Sequence, residues 1–592
     1  MKKLAFLPLL FILFAAGCQP SQKVVSATPV RVEPTATIAF TDVTAQAGIR
    51  FMHVHGGFGP KWLPETMGSG CAFIDYDNDG WQDIFLVNSS EWPEEFLKMA
   101  GVRRQRQKVT SRLYRNKGDG TFEDVTERAG LAVETYGMGC CVADYDNDGD
   151  DDIYLTALGR NYLFRNEGNG TFKDVAESAG VKDKGWSTSC AFLDYDRDGK
   201  LDLFVGHYVV WNSPKDHIPF SLIGDPAKHP SYNRPQAYKG EPCQLFHNEG
   251  NGKFRNVSAQ ANILEFKGQP LQGKTLGVAI CDYDNDGWQD IVVANDTERN
   301  YLFHNRHDGT FEEVGIEAGV AYNEQGIARG AMGIDAVDYA NEGKESILIG
   351  NFTNEMIALY YNEKPGFFID IAPTTELGPV SRLFLAFGCF FCDFDNDGWQ
   401  DIFVANGHVE DDIQAVEKEV TYAQRPLLFH SHQGEFREVK PKPGDPLARP
   451  IVARGAAYGD YDNDGDLDVL VTTNNGPAYL LRNDSRPRHN ALRLRLIGTR
   501  SNRNGIGARV FVKANGITQM RAVRSGSSYL SQSELPLTFG LGKAEEAEVE
   551  VQWLGGAREK LGKQKANQTL TVQEGKGVVA ARPFTREMSR SP

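Results

Sequence analysis

The sequence predicts an all-β protein: a seven-bladed β-propeller followed by a small, sandwich-like β domain. Three observations carry this prediction. An Asp-rich loop recurs seven times, with successive starts never closer than 50 residues. Apolar runs of strand length precede and follow each full copy, and Gly-containing turns separate further runs. After Asn483 the loops stop and the charge reverses. Composition agrees. Of 592 residues, 41% are hydrophobic and 24% charged, a globular mix that excludes a disordered chain or a multi-span membrane protein. The 61 Gly and 27 Pro favour short strands and turns over helical bundles. A net charge of −16 argues against a general nucleic-acid binder.

At the N-terminus, Met1-Lys2-Lys3, an apolar run to Ala16 and Gly17-Cys18 read as a signal peptide (residues 1–18). Cys18 after Ala15-Ala16-Gly17 resembles a bacterial lipobox, so its thiol is expected to carry the lipid; a plain secretory signal is the alternative. Residues 19–37 read as a flexible tether. The expected address is the bacterial cell envelope, with the mature protein anchored rather than spanning.

The propeller is expected over residues 38–485. Its first loop, Asp75-Tyr76-Asp77-Asn78-Asp79-Gly80-Trp81-Gln82-Asp83, has the form D-x-D-x-D-G-x-x-D. Each full repeat reads as strand, Asp loop, strand, strand, Gly turn and strand, the last marked by Phe-x-Asp-Val or a looser version. One such element, Phe40-Thr41-Asp42-Val43, precedes the first loop and is expected to complete the last blade and close the ring. An open solenoid, the runner-up, needs no such offset strand. Cys71, Cys140, Cys190 and Cys389 share one position four residues before a loop, where other repeats have Val278, Ile334 and Ala456. That is a small buried strand site, so few or no disulfides are expected.

Positions 1, 3, 5 and 9 of a loop place four carboxylates around one point, and the carbonyl of position 7 can add an oxygen. Such hard donors, in loops lacking Cys and His, suit Ca²⁺. The flanks are strands and position 12 of the first loop is Leu86, so this is no EF-hand. About six structural calcium sites are expected: Asp75, Asp77, Asp79 and Asp83; Asp144, Asp146, Asp148 and Asp152; Asp194, Asp196, Asp198 and Asp202; Asp282, Asp284, Asp286 and Asp290; Asp393, Asp395, Asp397 and Asp401; Asp460, Asp462, Asp464 and Asp468. The loop at Asp338 is eroded, with Ala340, Glu342 and Ser346 at positions 3, 5 and 9, and is expected to bind weakly through Asp338 and Glu342.

The Asp loops all join first to second strands and share one face. The longest insertions, near 88–111, 206–243 and 406–426, join second to third strands and must crowd the opposite face as a canopy. Trp62, Trp92, Trp186 and Trp211 fall there, with Glu65, Tyr208, Asp296, Arg329 and His408. Glu65, Trp186, Trp211, Asp296, Arg329 and His408 are the candidate ligand residues; the alternative is that they only pack the insertions together.

A second β domain is expected over 486–575 and a tail over 576–592, with strands near 491–497, 508–514, 517–523, 547–553 and 568–572. From Arg486 to Pro592 there are 19 Lys and Arg against 8 Asp and Glu, a net of +11, whereas residues 19–485 carry −29. Either the basic domain docks on the acidic propeller or it binds a polyanion.

The Asp loops, with Leu113-Tyr114-Arg115-Asn116 and Gly118-Asp119-Gly120-Thr121-Phe122, resemble FG-GAP/VCBS repeats, similar to the blades of integrin α-subunit propellers. Residues 498–509, with Ser528-Tyr529-Leu530-Ser531-Gln532-Ser533 and Phe539-Gly540-Leu541-Gly542, resemble an ASPIC/UnbV domain. The mature chain thus resembles the bacterial relatives of cartilage acidic protein. The resemblance implies a surface calcium-binding propeller with adhesion or matrix roles and supplies no catalytic mechanism. The function expected is binding of an extracellular glycan or protein. The alternatives are a lyase acting on acidic polysaccharide and a scaffold in an envelope complex. No nucleophile-elbow, zinc-protease or phosphate-loop motif is present.

Overall fold

A computed structural model describes residues 37–103 and 105–585. Cys18, the leader and the tether up to residue 36 lie outside the described residues. Seven four-stranded antiparallel sheets form the blades. Six of them, blades 1 to 6, use consecutive strands within residues 71–124, 137–174, 187–256, 275–313, 331–370 and 386–438. Blade 7 takes Ala453–Gly459, Asp468–Thr473 and Tyr479–Asn483 and borrows its outer strand, Phe40–Asp42, from the start of the propeller. Phe40 lies opposite Asn483 and Asp42 opposite Leu481, which ties the two ends of the ring into one sheet. This pairing favours the closed propeller over the solenoid.

The first two strands of each blade are apolar on both faces because neighbouring blades cover both. One core cluster joins Ala72, Ile74 and Phe85 of blade 1 to Cys140, Val142 and Ile153 of blade 2. Another joins Phe390 and Phe403 of blade 6 to Val469 and Val471 of blade 7. The eight cysteines after Cys18 are free and buried, including the four at the shared strand position.

The C-terminal domain is a sandwich of two four-stranded sheets. One runs Leu537–Gly542, Asn490–Ile497, Gln568–Gln573, Gly577–Pro583; the other runs Ile517–Ala522, Arg509–Ala514, Glu546–Gln552, Arg558–Lys565. Leu492, Leu494, Val510, Val512, Phe539, Val549, Trp553 and Leu570 fill the space between them. Three strands escape the sequence pattern. Arg558–Lys565 alternates between exposed and half-buried side chains, and Leu537–Gly542 carries two glycines. The stretch expected as a tail from residue 576 contains the third, Gly577–Pro583, which pairs with Gln568–Gln573 and carries the sandwich beyond residue 575.

The sandwich sits on the Asp-loop face of the propeller, and its loop 524–534 enters the centre of the ring. Ser528 pairs with Ile334 of blade 5, Gln532 with Ala72 of blade 1, and the Leu530 carbonyl accepts the Cys140 amide of blade 2 at 3.1 Å. The Tyr529 hydroxyl reaches the Met67 carbonyl at 3.1 Å, so the loop crosses to the insertion side.

Candidate metal centres and ligand cavity

Each Asp loop is a tight turn held by its own carboxylates. The position-1 Asp accepts the amide of the Gly at position 6: Gly149 to Asp144 at 2.8 Å, Gly287 to Asp282 at 2.7 Å and Gly398 to Asp393 at 2.9 Å. The position-9 Asp accepts two amides, from position 2 and from the third strand, as Asp83 does from Tyr76 (3.1 Å) and Asn116 (2.7 Å). Position 4 has positive φ in all seven loops, 57° at Asn78 and 55° at Asn463, which explains the preference there for Asn. Its side chain donates to the position-6 carbonyl of the next loop, Asn78 to Gly149 at 3.1 Å, and Asn463 to Gly80 at 3.0 Å closes the circle.

Several of the loops' carboxylate oxygens are buried without a hydrogen-bond partner, one each on Asp77, Asp146, Asp194, Asp282 and Asp462. Asp75, Asp77 and Asp83 place oxygens within 4.8 Å of one another, as do Asp144, Asp146 and Asp152. Burial first, and then neighbouring carboxylates, push Asp144 up to about 7 and Asp194 up to about 8. A cation between these oxygens relieves both penalties, so the loops can bind metal ions. The blade-5 loop differs. Glu342 accepts from Lys344 (3.0 Å) and the Tyr361 hydroxyl (2.7 Å), and Ser346 takes the Asn362 amide that an Asp takes elsewhere.

Histidine enters from outside the loops. His247 lies 3.1 Å from Asp202, His304 3.4 Å from Asp290 and His430 3.3 Å from Asp395. They occupy the third-strand position before the final Asn or Ser, where blade 1 has Arg115 bonded to Asp77 and Asp79. His247 Nδ1 is within hydrogen-bond distance of Asp202, and the neighbouring carboxylates raise the pKa of both His247 and His304. Each also stands in a group, Asp196–Asp202–His247 and Asp284–Asp290–His304, that could hold a metal ion. The signal, Arg or His at one place in six of the seven third strands (blade 5 has Tyr361), was present in the sequence but lies far from the loops.

The sandwich meets this acidic face with arginines. Arg493 bonds Asp460 (3.2 Å) and Glu534, Arg495 bonds Asp75 (3.2 Å), Arg509 bonds Asp282, and Arg524 bonds Asp335 (3.0 Å). Docking is therefore what the basic charge of the C-terminal domain does in this structure.

On the insertion face, the candidate residues divide. Trp186 and Trp211 are 1% exposed and lie in a cluster with Trp62 and Trp92, with Trp62 and Trp92 centroids 5.0 Å apart and Trp92 and Trp211 5.3 Å apart. Their ring faces pack the insertions together and are not open for stacking. Glu65 is buried beneath them, accepting the Trp92 indole N–H at 2.9 Å. Arg329 is committed to Asp370 (2.8 Å) and Glu324. Asp296 and His408 instead line an open cavity of ≈ 590 Å³, with Tyr208 and the apolar side chains of Leu63, Met67 and Phe352. Glu355 and Thr297, which the sequence reading passed over, line it too. The Tyr208 hydroxyl donates to Asp296 at 2.6 Å. Burial pushes Asp296 up to about 7 and His408 down to about 4.

Fold and site together define a β-propeller with carboxylate loops that can hold metal ions on one face, capped there by a basic β-sandwich, and with a cavity on the other face. Family comparison gives the particulars. The FG-GAP-like repeat matches residues 75–155, 151–205 and 282–349, and the ASPIC and UnbV domain matches residues 498–579. The chain is an FG-GAP-repeat protein with an ASPIC/UnbV domain, homologous to cartilage acidic protein 1. It is 29% identical to the human protein over 313 residues, 51% of this chain and 43% of that one, and 28% identical to the mouse protein. The chain thus matches less than half the length of these relatives. Among solved structures, it is similar to an Agrocybe aegerita lectin described as recognising non-reducing terminal N-acetylglucosamine (16% identity, 63% of this chain and 88% of that one, TM-score 0.36). It is also similar to the exotype rhamnogalacturonan lyase YesX (12% identity, 79% and 73%, TM-score 0.32).

Proposed function

We propose that the protein is a calcium-stabilised propeller, lipid-anchored through Cys18 in the bacterial cell envelope, that binds an extracellular glycan or protein on its insertion face. The observation that carries this reading is the division of labour between the two faces. The metal-loop face is covered by the sandwich, whereas the insertion face keeps a cavity whose wall includes a buried, unpartnered His408 Nε2. Calcium is the ion that fits the loops: the donors are hard oxygens from positions 1, 3, 5 and 9, with a carbonyl available at position 7. Bound calcium supplies charge that lets these carboxylates stay ionised while buried; the chain's own contribution is the turn and the hydrogen bonds from Gly and third-strand amides. Extracellular calcium sites have dissociation constants of about 10⁻⁴–10⁻³ M, so six loops would be filled outside the cytoplasm.

The test is a glycan array probed with protein lacking Cys18, in calcium and in EDTA, with capture of extracellular proteins in parallel. Binding that EDTA abolishes, and that Asp296 or His408 substitutions weaken, supports the reading. A folded, calcium-loaded protein that binds neither class refutes it.

A further inference from the structure

We infer that the insertion-face cavity is a receptor site for a primary ammonium group carried on an apolar stem that also bears a hydrogen-bond acceptor. This rests on the reading that the insertion face binds ligands, and it specifies their chemistry.

Two carboxylates, from the turns after the second strands of blades 4 and 5, converge on Gly330. A Cβ at Gly330 would lie 3.1 Å from Asp296 Oδ1 and 3.4 Å from Glu355 Oε2. Each carboxylate has one oxygen held by the protein: Asp296 Oδ2 by Tyr208 at 2.6 Å, and Glu355 Oε2 by the Gly330 amide, also at 2.6 Å. Neither forms a salt bridge among the described residues. Of the nearby cations, Lys274 pairs with Glu298 at 3.0 Å and Arg329 with Asp370 at 2.8 Å, while Arg234, also on the cavity wall, lies over the Phe220 ring at 5.6 Å. The cavity wall thus carries more carboxylates (Asp296, Glu355, Glu410 and Glu417) than cations (Arg234), and a cation between Asp296 and Glu355 would favour the ionised forms that burial disfavours. Three rotatable donors on a compact ammonium match single oxygens on two carboxylates; the fork of a guanidinium wants both oxygens of one.

An independent observation points to the rest of the ligand. His408 is 1% exposed and lines the same cavity. Its Nδ1 accepts the Glu410 amide at 3.0 Å, so in the neutral ring Nε2 carries the proton, and Nε2 has no partner. It awaits an acceptor. Leu63, Met67 and Phe352 supply apolar wall for a stem. Thr297, directly after Asp296, holds φ at 62°, an unfavourable conformation for a β-branched residue of the kind found at binding sites.

The full chain lacking Cys18, in calcium, is titrated calorimetrically with Nα-acetyl-lysine methylamide and with its uncharged isostere, Nα-acetyl-norleucine methylamide. The lysine probe is expected to bind at least about tenfold more tightly, the scale of one charge-assisted hydrogen bond in a desolvated site. Glu355→Gln and Asp296→Asn, each keeping its bond to Gly330 or Tyr208, are each expected to remove that preference without changing the melting temperature. A 15-residue peptide with one lysine separates the sources. Tighter binding than the free probe assigns the site to a protein side chain; equal binding assigns it to small amines. Equal affinity for the two methylamides, or displacement of the lysine probe by millimolar Mg²⁺, overturns the inference. If the probes fail while an array ligand still binds this face, only the ammonium assignment falls; if nothing binds this face, the reading beneath it falls as well.

Discussion

Gly70→Ala tests whether the sandwich loop truly plugs the ring. Gly70 is in the inner wall of blade 1, and its amide donates to the Met138 carbonyl of blade 2 at 2.8 Å. A Cβ there would overlap the Leu530 carbonyl oxygen and stand 2.5 Å from its carbon and 3.1 Å from its Cβ. The obstacle is backbone, so no rotamer change relieves it. If the wall yields locally, overpacking costs about 1–3 kcal/mol. If the plug withdraws, Tyr529 and Leu530, 0% and 1% exposed, lose their burial, about 1.5–3 kcal/mol for each side chain. A loss of about 3 kcal/mol is therefore expected in chemical denaturation, together with new protease cleavage within residues 523–535. Gly555→Ala, with nothing within 4 Å of its Cβ, is the matched control and should be near neutral. Adding Leu530→Ala should not rescue Gly70→Ala, because the carbonyl remains. A Gly70→Ala protein that unfolds with the wild type and keeps the loop protected refutes the plug.

Removing calcium with EDTA should lower the melting temperature and calcium should restore it, each occupied site adding about 1 kcal/mol at five times its dissociation constant; indifference to EDTA in calorimetry would remove the metal from the loops. The metal-free protein should become more stable as pH falls from 8 to 6.5: Asp144 and Asp194 have folded pKa values of about 7 and about 8, above the unfolded carboxylate value, so the folded state binds more protons in this window. Below pH 6.5 the trend should weaken or reverse, because buried His53 (about 3) and His408 (about 4) stay neutral when folded but charge when unfolded. Arg493→Met should cost about 3–5 kcal/mol by leaving Asp460 and Glu534 buried without their cation, measured by urea unfolding. Asn463→Val should cost about 1–2 kcal/mol from the left-handed backbone alone, plus the bond that closes the loop circle, whereas Asn463→Gly should cost less.

Much of this protein was legible locally. The Asp loops, the four-strand period and the offset strand Phe40–Asp42 are short-range patterns, and each strand meets its neighbour through a loop of known chemistry. The site on the metal face was legible for the same reason: four of its carboxylates lie within nine residues. Residues brought together across the ring were not. His247 stands 45 positions from Asp202, and Glu355 nearly 60 from Asp296, so neither pairing leaves a periodic trace.

The ligand face shows the same limit from the other side. Trp186 and Trp211 were conspicuous as residue types, but whether an indole faces solvent or another indole depends on how three long insertions fold over one another. Sequence by itself determined the blades, their number, the loop turns and the opposite charges of the two domains, because local periodicity and turn chemistry set them. Only the tertiary structure decided that the basic sandwich covers the Asp loops and sends residues 524–534 through the ring, and that the cavity lined by Asp296 and His408 stays open on the far side. Those arrangements arise from long-range packing and from pairing buried charges, and neither is written in any single stretch of chain.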